Sequence, residues 1–321
     1  MTDFHSRATL PSGEPAPDPV EAAPTASALS AAAPGRASRR GAARRGIGHT
    51  RIVVCLVVVA VYALAAAIGP VLLEFDSVAT RTADRLKPPG STLSDGSFAL
   101  FGTDQVGQDI LAQMMQGARV SMMVGLATLV LAGLIGVTIG VLTGYFGGWL
   151  DAVLMRLADV QLTFPSILLA ILIAALLGPS VVNVVIVLAI SNWVTFARVT
   201  RSQVLSTRHR EYVDATRTLG AGTWHTLVRC ILPACLAPIL VVATVELGHV
   251  ILAEASLSFL GLGTPTSTPS WGVTISNGRN YLSDAWWIST IPGIALAGLV
   301  LTFGVLGDAL RDRYDPRLRS L

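Results

Sequence analysis

The sequence predicts an all-α membrane protein with six transmembrane helices and both termini on one side of the bilayer. Three observations predict it. The 321 residues are 52% apolar and only 13% charged, about half the near-25% charge of a soluble domain, and mean hydropathy is +0.62. Uncharged stretches recur, each at least as long as the roughly 20 residues one crossing needs. Lys and Arg divide unevenly between the segments that join them. This composition excludes a soluble enzyme on a single globular core, and it excludes disorder of the whole chain. Cys55 and Cys235 fall in apolar segments and Cys230 at the edge of one, which argues against a structural disulfide. A net charge of +3 gives no footprint for a nucleic-acid partner.

Taken in order, residues 1–50 are rich in Ala, Pro and Ser and then in Arg, without apolar periodicity. They read as a disordered tail ending in a basic cluster of Arg36, Arg39, Arg40, Arg44, Arg45 and Arg51. The Arg39-Arg40 pair reads as a flank of the membrane rather than a twin-arginine export signal, because the apolar run 52–73 is too long for a signal-peptide core. That run is the first span. The uncharged run 120–150 is the second. The run 160–197 has 38 residues, too many for one crossing, and Gly178-Pro179 divides it into two helices joined by a tight turn. The run 231–263 is apolar apart from Glu246, His249 and Glu254, and 286–307 opens on Trp286-Trp287 at the interface. The expected organisation is a tail 1–50, a first helix and outer loop 51–119, a five-helix core 120–308 and a C-terminal tail 309–321.

On this topology one side carries seven basic residues in the N-terminal segment, one in loop 147–159, six in 198–230 and four at the C-terminus; the other side carries four in 74–119 and one in 263–285. The division is 18 against 5, and the positive-inside rule assigns the first side to the cytoplasm. In the second span Gly136, Gly140 and Gly144 recur every four residues. They share one helix face, which reads as a close helix–helix contact.

No catalytic constellation emerges. A phosphate-binding P-loop needs Gly-Lys-Ser/Thr, and the single lysine, Lys87, stands between Leu86 and Pro88. There is no His-Glu-x-x-His, Cys-x-x-Cys or Gly-x-Ser-x-Gly, and His5, His49, His209, His225 and His249 are scattered. The segment 198–230 is the most informative. Tyr212, Val213, Ala215, Thr216 and Leu219 give apolar or small contacts on a short helix, and Gly220 stands where a C-terminal glycine belongs. Thr223 is placed to cap a second helix that runs through Trp224 and Leu227 into the membrane near Pro233. Such a helix either enters a groove on a soluble partner or lies on the headgroups; the residues alone leave both open. In the fifth span Glu246 and Glu254 are eight positions apart, about 80° around the helix, with His249 about 60° to the other side. A charge at a helix centre costs about 2.5–3.5 kcal/mol on insertion scales. The three residues therefore line a substrate or proton pathway, or make structural hydrogen bonds.

The run Glu211-Tyr212-Val213-Asp214-Ala215-Thr216-Arg217-Thr218-Leu219-Gly220, followed by Ile231-Leu232-Pro233, resembles the Glu-Ala-Ala loop of ABC-importer permeases. Asp214-Ala215-Thr216 fills the Glu-Ala-Ala positions, and Gly220 matches the family's glycine. Gly102-Thr103-Asp104 through Asp109, then Gly117-Ala118-Arg119-Val120-Ser121, is similar to the approach to the second span in the C-type permeases of dipeptide, oligopeptide and nickel importers, with Gln108 and Gln113 where that family has arginine. Ile251 to Gly263 with Pro269-Ser270-Trp271-Gly272 fits the same subfamily, as does Gly307-Asp308-Ala309-Leu310 with Asp315-Pro316-Arg317-Leu318.

The resemblance, covering 52–320, implies a type I importer (MetI-like) permease fold in the bacterial cytoplasmic membrane. It implies a second homologous permease subunit, two ATPase subunits and an extracytoplasmic solute-binding protein as partners. Docking of the ATPases would fall on Glu211, Tyr212, Asp214, Ala215, Thr216, Leu219 and Gly220. ATP and magnesium would be bound by the ATPases, with no cofactor in this chain. The solute implied is a di- or oligopeptide, with nickel as the alternative. A proton-coupled secondary transporter using Glu246, His249 and Glu254, and a non-transporting membrane scaffold, are the rival readings.

Overall fold

The computed structural model describes residues 35–72, 80–265 and 267–314, with side chains from Thr50 onward. Met1–Arg45 and Gly46–Leu321 form separate units. Helix α1, Gly35–Leu72, starts well before residue 50. The backbone of 35–50 is thus helical where an unstructured tail is expected from the sequence; Ala and Arg are good helix formers. Residues 1–34, the arginine side chains 36–45 and the motif Asp315-Pro316-Arg317-Leu318 lie outside the described residues.

Among the described residues the further elements include a small hairpin, β1 Ser91–Thr92 with β2 Phe98–Ala99, and nine α-helices: α2 Ile110–Phe146, α3 Gly148–Leu162, α4 Ser166–Leu177, α5 Val181–Thr207, α6 Glu211–Thr218, α7 Thr223–His225, α8 Leu232–Phe259, α9 Trp271–Gly278 and α10 Trp287–Tyr314. Among the described residues five helices are long and apolar enough to cross a membrane, and α3 with α4, bent by 87° between them, brings the number to the expected six where the pair is one span. Two boundaries differ from those expected. Helix α2 begins ten residues before the uncharged run, because Asp109 caps it by accepting a hydrogen bond from Leu111 N at 2.9 Å; such a cap is worth about 1 kcal/mol. The expected loop 147–159 is α3. Its charges are neutralised by α5: Arg201 grips Asp151 with two hydrogen bonds of 2.6 Å, and Arg198 reaches Asp159 at 2.5 Å. Both partners lie some 40 to 50 residues downstream, so a local count reads the segment as a loop.

The outer end of the bundle is covered by residues 80–109. Asp84 is buried and accepts from Ser94 N at 2.8 Å and Ser94 Oγ at 2.6 Å, beside Lys87 Nζ at 2.8 Å. These partners, Lys87 first, hold its carboxyl down at about 2. Asp104 accepts from Val106 N, Gln108 N and Gln113 Nε2. Burial pushes its carboxyl up, in keeping with a neutral glutamine at 113. The Trp287 indole donates to Thr103 O at 3.0 Å, which ties this cover to the start of α10.

Inside the bundle the closest contact joins α2 to α5. The glycine face lies along α5 in parallel register: Gly136 meets Trp193 and Phe196, Gly140 meets Ala197 and Thr200, and Gly144 meets Val204. A Cβ on Gly140 would stand 2.5 Å from Ala197 O, and one on Gly144 would stand 2.8 Å from Val204 Cβ. The neighbour at Gly140 is backbone and has nowhere to go. On the other side of α8, Gly248 packs on Val300 and Phe303, and Gly307 on Val245, bringing α10 close. Helix α1 lies outermost. Tyr62 donates to Ala295 O at 3.0 Å and meets Trp271 edge-on.

Gly140→Leu should therefore abolish accumulation of the protein in the membrane. Gly133→Ala, which has nothing within 4 Å of its Cβ, should leave the level unchanged. Immunoblots of membrane fractions check this pair; normal levels of Gly140→Leu would contradict the packing.

Candidate functional site

Two regions combine chemistry with exposure. The first is α6 and its flanks, at the end of the bundle where α2 and α5 both terminate. Arg208, just after α5, donates to Gly144 O at 2.9 Å and Tyr145 O at 3.3 Å, satisfying carbonyls that α2 leaves free at its C-terminus. The chain turns and enters α6. Of the α6 side chains only Val213 is buried. Tyr212 Oη donates to Cys230 O at 3.3 Å, and Arg217 lies 5.3 Å from the Tyr145 ring centroid, so the helix is held from behind.

Gly220 has φ +86°. Gly220 N donates to Arg217 O at 2.9 Å and Ala221 N to Thr216 O at 3.2 Å, which is a Schellman ending. Gly222, not Thr223, occupies the cap position of the next helix, and no side chain caps it; the extended residue after the glycine turn takes that place. Thr226 to Ile231 form a wide π turn that leads into α8. Bulges of this kind gather at functional sites.

The sequence-derived set is thereby placed on one small element: Glu211, Tyr212, Asp214, Ala215, Leu219 and Gly220 are exposed, and Thr216 is partly so. Leu219 points outward and is 89% exposed, and Trp224 is 78% exposed. Leu219 was expected to pack along the helix and does not. Trp224 belongs with this surface too. Its signal was legible only as an aromatic residue in a segment otherwise rich in arginine.

The second region lies within the membrane on α8. Glu254 is fully buried. It accepts from Ser121 Oγ at 2.7 Å, from Ser258 Oγ at 2.8 Å and from Ser270, and Thr264 joins the network through Ser258 and Ser270. One carboxylate thus ties α2, α8 and the start of α9 together. Ser121, Thr264 and Ser270 were not singled out from the sequence, because their partners are far away in the chain.

Glu246 is half-buried and lies within side-chain reach of Thr195 of α5, with His249 in electrostatic range. His249 is exposed. The three titratable residues of α8 are therefore not one cluster: Glu246 and His249 share a surface, and Glu254 faces the interior.

The family described as "Binding-protein-dependent transport system inner membrane component" matches residues 136–320. The di/tripeptide transport system permease protein DppC of Pseudomonas aeruginosa is 40% identical over 238 residues, 74% of this chain and 78% of that protein. The dipeptide transport system permease proteins DppC of Alkalihalophilus pseudofirmus and Haemophilus influenzae are 39% and 35% identical, covering 84% and 83% of this chain and 86% and 90% of those proteins. With a family match over more than half of its length and relatives of this identity along most of it, the chain belongs to the binding-protein-dependent transport system inner membrane components, the multi-pass permease subunits of ABC importers.

Proposed function

We propose that the chain is one of two permease subunits of an ATP-driven importer for short peptides. Support for the solute class comes from the relatives, which are named for di- and tripeptides. Support for the ATP-driven mode comes from α6. It is a rigid two-turn helix, fixed from behind by Val213, Tyr212 and Arg217, that offers Leu219 and Trp224 to a partner. Exposed apolar side chains on so small a projection fit the groove-docking mode better than a headgroup-bound loop. The basic bias places α6 in the cytoplasm, where ATPase subunits would seat on Glu211, Tyr212, Asp214, Ala215, Thr216, Leu219 and Gly220. Those subunits would hold ATP and magnesium. A second permease would complete the pathway, and an extracytoplasmic binding protein would deliver the peptide. Closure of the ATPases would pass through α6 to α5 and α8 as a rigid-body movement. The carrying observation is the α6 geometry. Co-purification of the assembled transporter and ATP-driven uptake of a dipeptide into vesicles tests the reading.

Gly220→Val isolates the docking helix. The site is open around Gly220, so the cost is backbone strain alone, about 1–2 kcal/mol for a side chain in the left-handed region. The variant should insert normally. It should lose ATPase recruitment, or keep the complex and lose hydrolysis stimulated by the binding protein while basal hydrolysis persists. Wild-type values for both in reconstituted vesicles would remove α6 from the coupling role.

Glu254 separates structure from relay. Its hydroxyl partners can reorient towards an amide, so Glu254→Gln should keep dipeptide uptake within about fivefold, the scale of one hydrogen bond's net contribution of about 1 kcal/mol. Glu254→Leu strands those hydroxyls at about 1–3 kcal/mol each and should deplete the protein from the membrane. Uptake abolished in Glu254→Gln at a normal protein level would make this carboxylate a carrier of protons or solute.

A further inference from the structure

The outward surfaces of the spans are of two chemical kinds. From Ile52 to Leu72 every exposed side chain of α1 is apolar, and from Ile167 to Leu177 the same holds for α4. These faces suit lipid. Along α5, in contrast, Asn192 and Thr195 are partly exposed and Ser202 is exposed; beside them on α8, Glu246 is partly exposed and His249 is exposed. Thr195 of α5 lies within side-chain reach of Glu246 of α8, which links the two rows. Asn192 donates its amide to Leu188 O at 2.7 Å. Hydrocarbon tolerates neither a carboxylate nor an imidazole at a helix centre, so this seam does not face lipid.

We propose that the α5–α8 seam of Asn192, Thr195, Glu246 and His249 is this chain's wall of the solute path, and that Glu246 takes the ammonium group of the passing solute. The proposal rests on the importer reading and sharpens it. A carboxylate has two oxygens and about four acceptor positions, and Glu246 has Thr195 within side-chain reach. It retains acceptor positions towards the open side of the seam. An α-ammonium group supplies three donors and the opposite charge. Free peptides carry that group at one end, so a single fixed carboxylate recognises the class without reading side chains. His249, about one turn away on the same helix, lies where it can contact the remainder of the solute.

The test uses the assembled transporter in membrane vesicles, with Cys55, Cys230 and Cys235 replaced by alanine. Single cysteines are placed at Thr195, at His249 and, as a lipid-facing control, at Leu172. Each is labelled with the cationic trimethylammonium-ethyl and the anionic sulfonatoethyl methanethiosulfonate, and every rate is divided by that reagent's rate with free 2-mercaptoethanol. Positions 195 and 249 should react at least about tenfold faster than 172. The cationic reagent should be favoured about fivefold at 249, the scale of one nearby charge in a hydrated site, and Glu246→Gln should erase that preference. Positions 195 and 249 as inert as 172, as a covering permease or lipid would make them, would overturn the proposal. So would a cation preference that survives Glu246→Gln.

A flux measurement adds a second arm. Glu246→Gln should lower ATP-driven uptake of alanyl-alanine at least about fivefold, the loss of roughly one charge-assisted hydrogen bond, with assembly intact, and Glu246→Asp should restore most of it. Unchanged uptake in Glu246→Gln would overturn the assignment of Glu246. No alanyl-alanine uptake by the unmodified transporter would instead overturn the peptide reading, and the labelling rates would still decide the seam.

Discussion

The parallel contact between α2 and α5 is what the rest of the molecule hangs on. In hydrocarbon two apolar helices gain little by hiding from lipid, so close packing of small residues has to hold them. Gly136, Gly140 and Gly144 provide the approach, with Ala197 O only 2.5 Å from where a Cβ on Gly140 would sit. The contact brings the ends of both helices to the same level, and Arg208 then closes the α2 terminus through Gly144 O and Tyr145 O. Tyr145 in turn lies under Arg217 of α6. The orientation of α6, the proposed docking helix, therefore depends on a glycine face in the membrane.

The same helices carry opposite chemistry on other faces. Helix α5 clamps the broken span through Arg201–Asp151 and Arg198–Asp159 and shares the polar seam with α8. Helix α8 joins that seam at Glu246 and His249 and buries Glu254 a few turns further on, where three hydroxyls surround it. The two glutamates differ in environment rather than in type. One is a fastener between α2, α8 and α9, and the other is presented at a surface. This arrangement gives α5 and α8 a double connection, to α6 at one end and to the proposed solute path in between, so a shift imposed on α6 would reach the seam through helices that are packed rather than tethered.

Much of this was legible in the sequence because the bilayer constrains it so strongly. Helix length, apolar runs and the four-residue glycine repeat are local properties, and they gave the six crossings and the α2 contact face. Gly220 was legible because only glycine ends a helix comfortably at φ +86°. What was hidden depends on distant partners. The charges of α3 look like a loop until Arg198 and Arg201 are brought beside them. Glu254 looks like Glu246 until Ser121, 133 residues away, is found against it. Leu219 was assigned to the packed side because a short helix needs some apolar contact; Val213 alone supplies the buried one. Thr223 lost its capping role because the chain leaves the Schellman turn one residue earlier, at Gly222.

If α6 transmits ATPase closure to α5 and α8, Leu219 reports it most directly, since its side chain is 89% exposed at the tip. A single cysteine at 219, with the native cysteines replaced by alanine, is labelled with a thiol-specific benzophenone photocross-linker, which inserts into C–H bonds of any neighbour, in the assembled, ATP-hydrolysing transporter. A photocross-link to an ATPase subunit should form in different yields in the nucleotide-free and ATP-bound states. No cross-link in a complex that still hydrolyses ATP, or labelling of position 219 from the extracytoplasmic side, would contradict it.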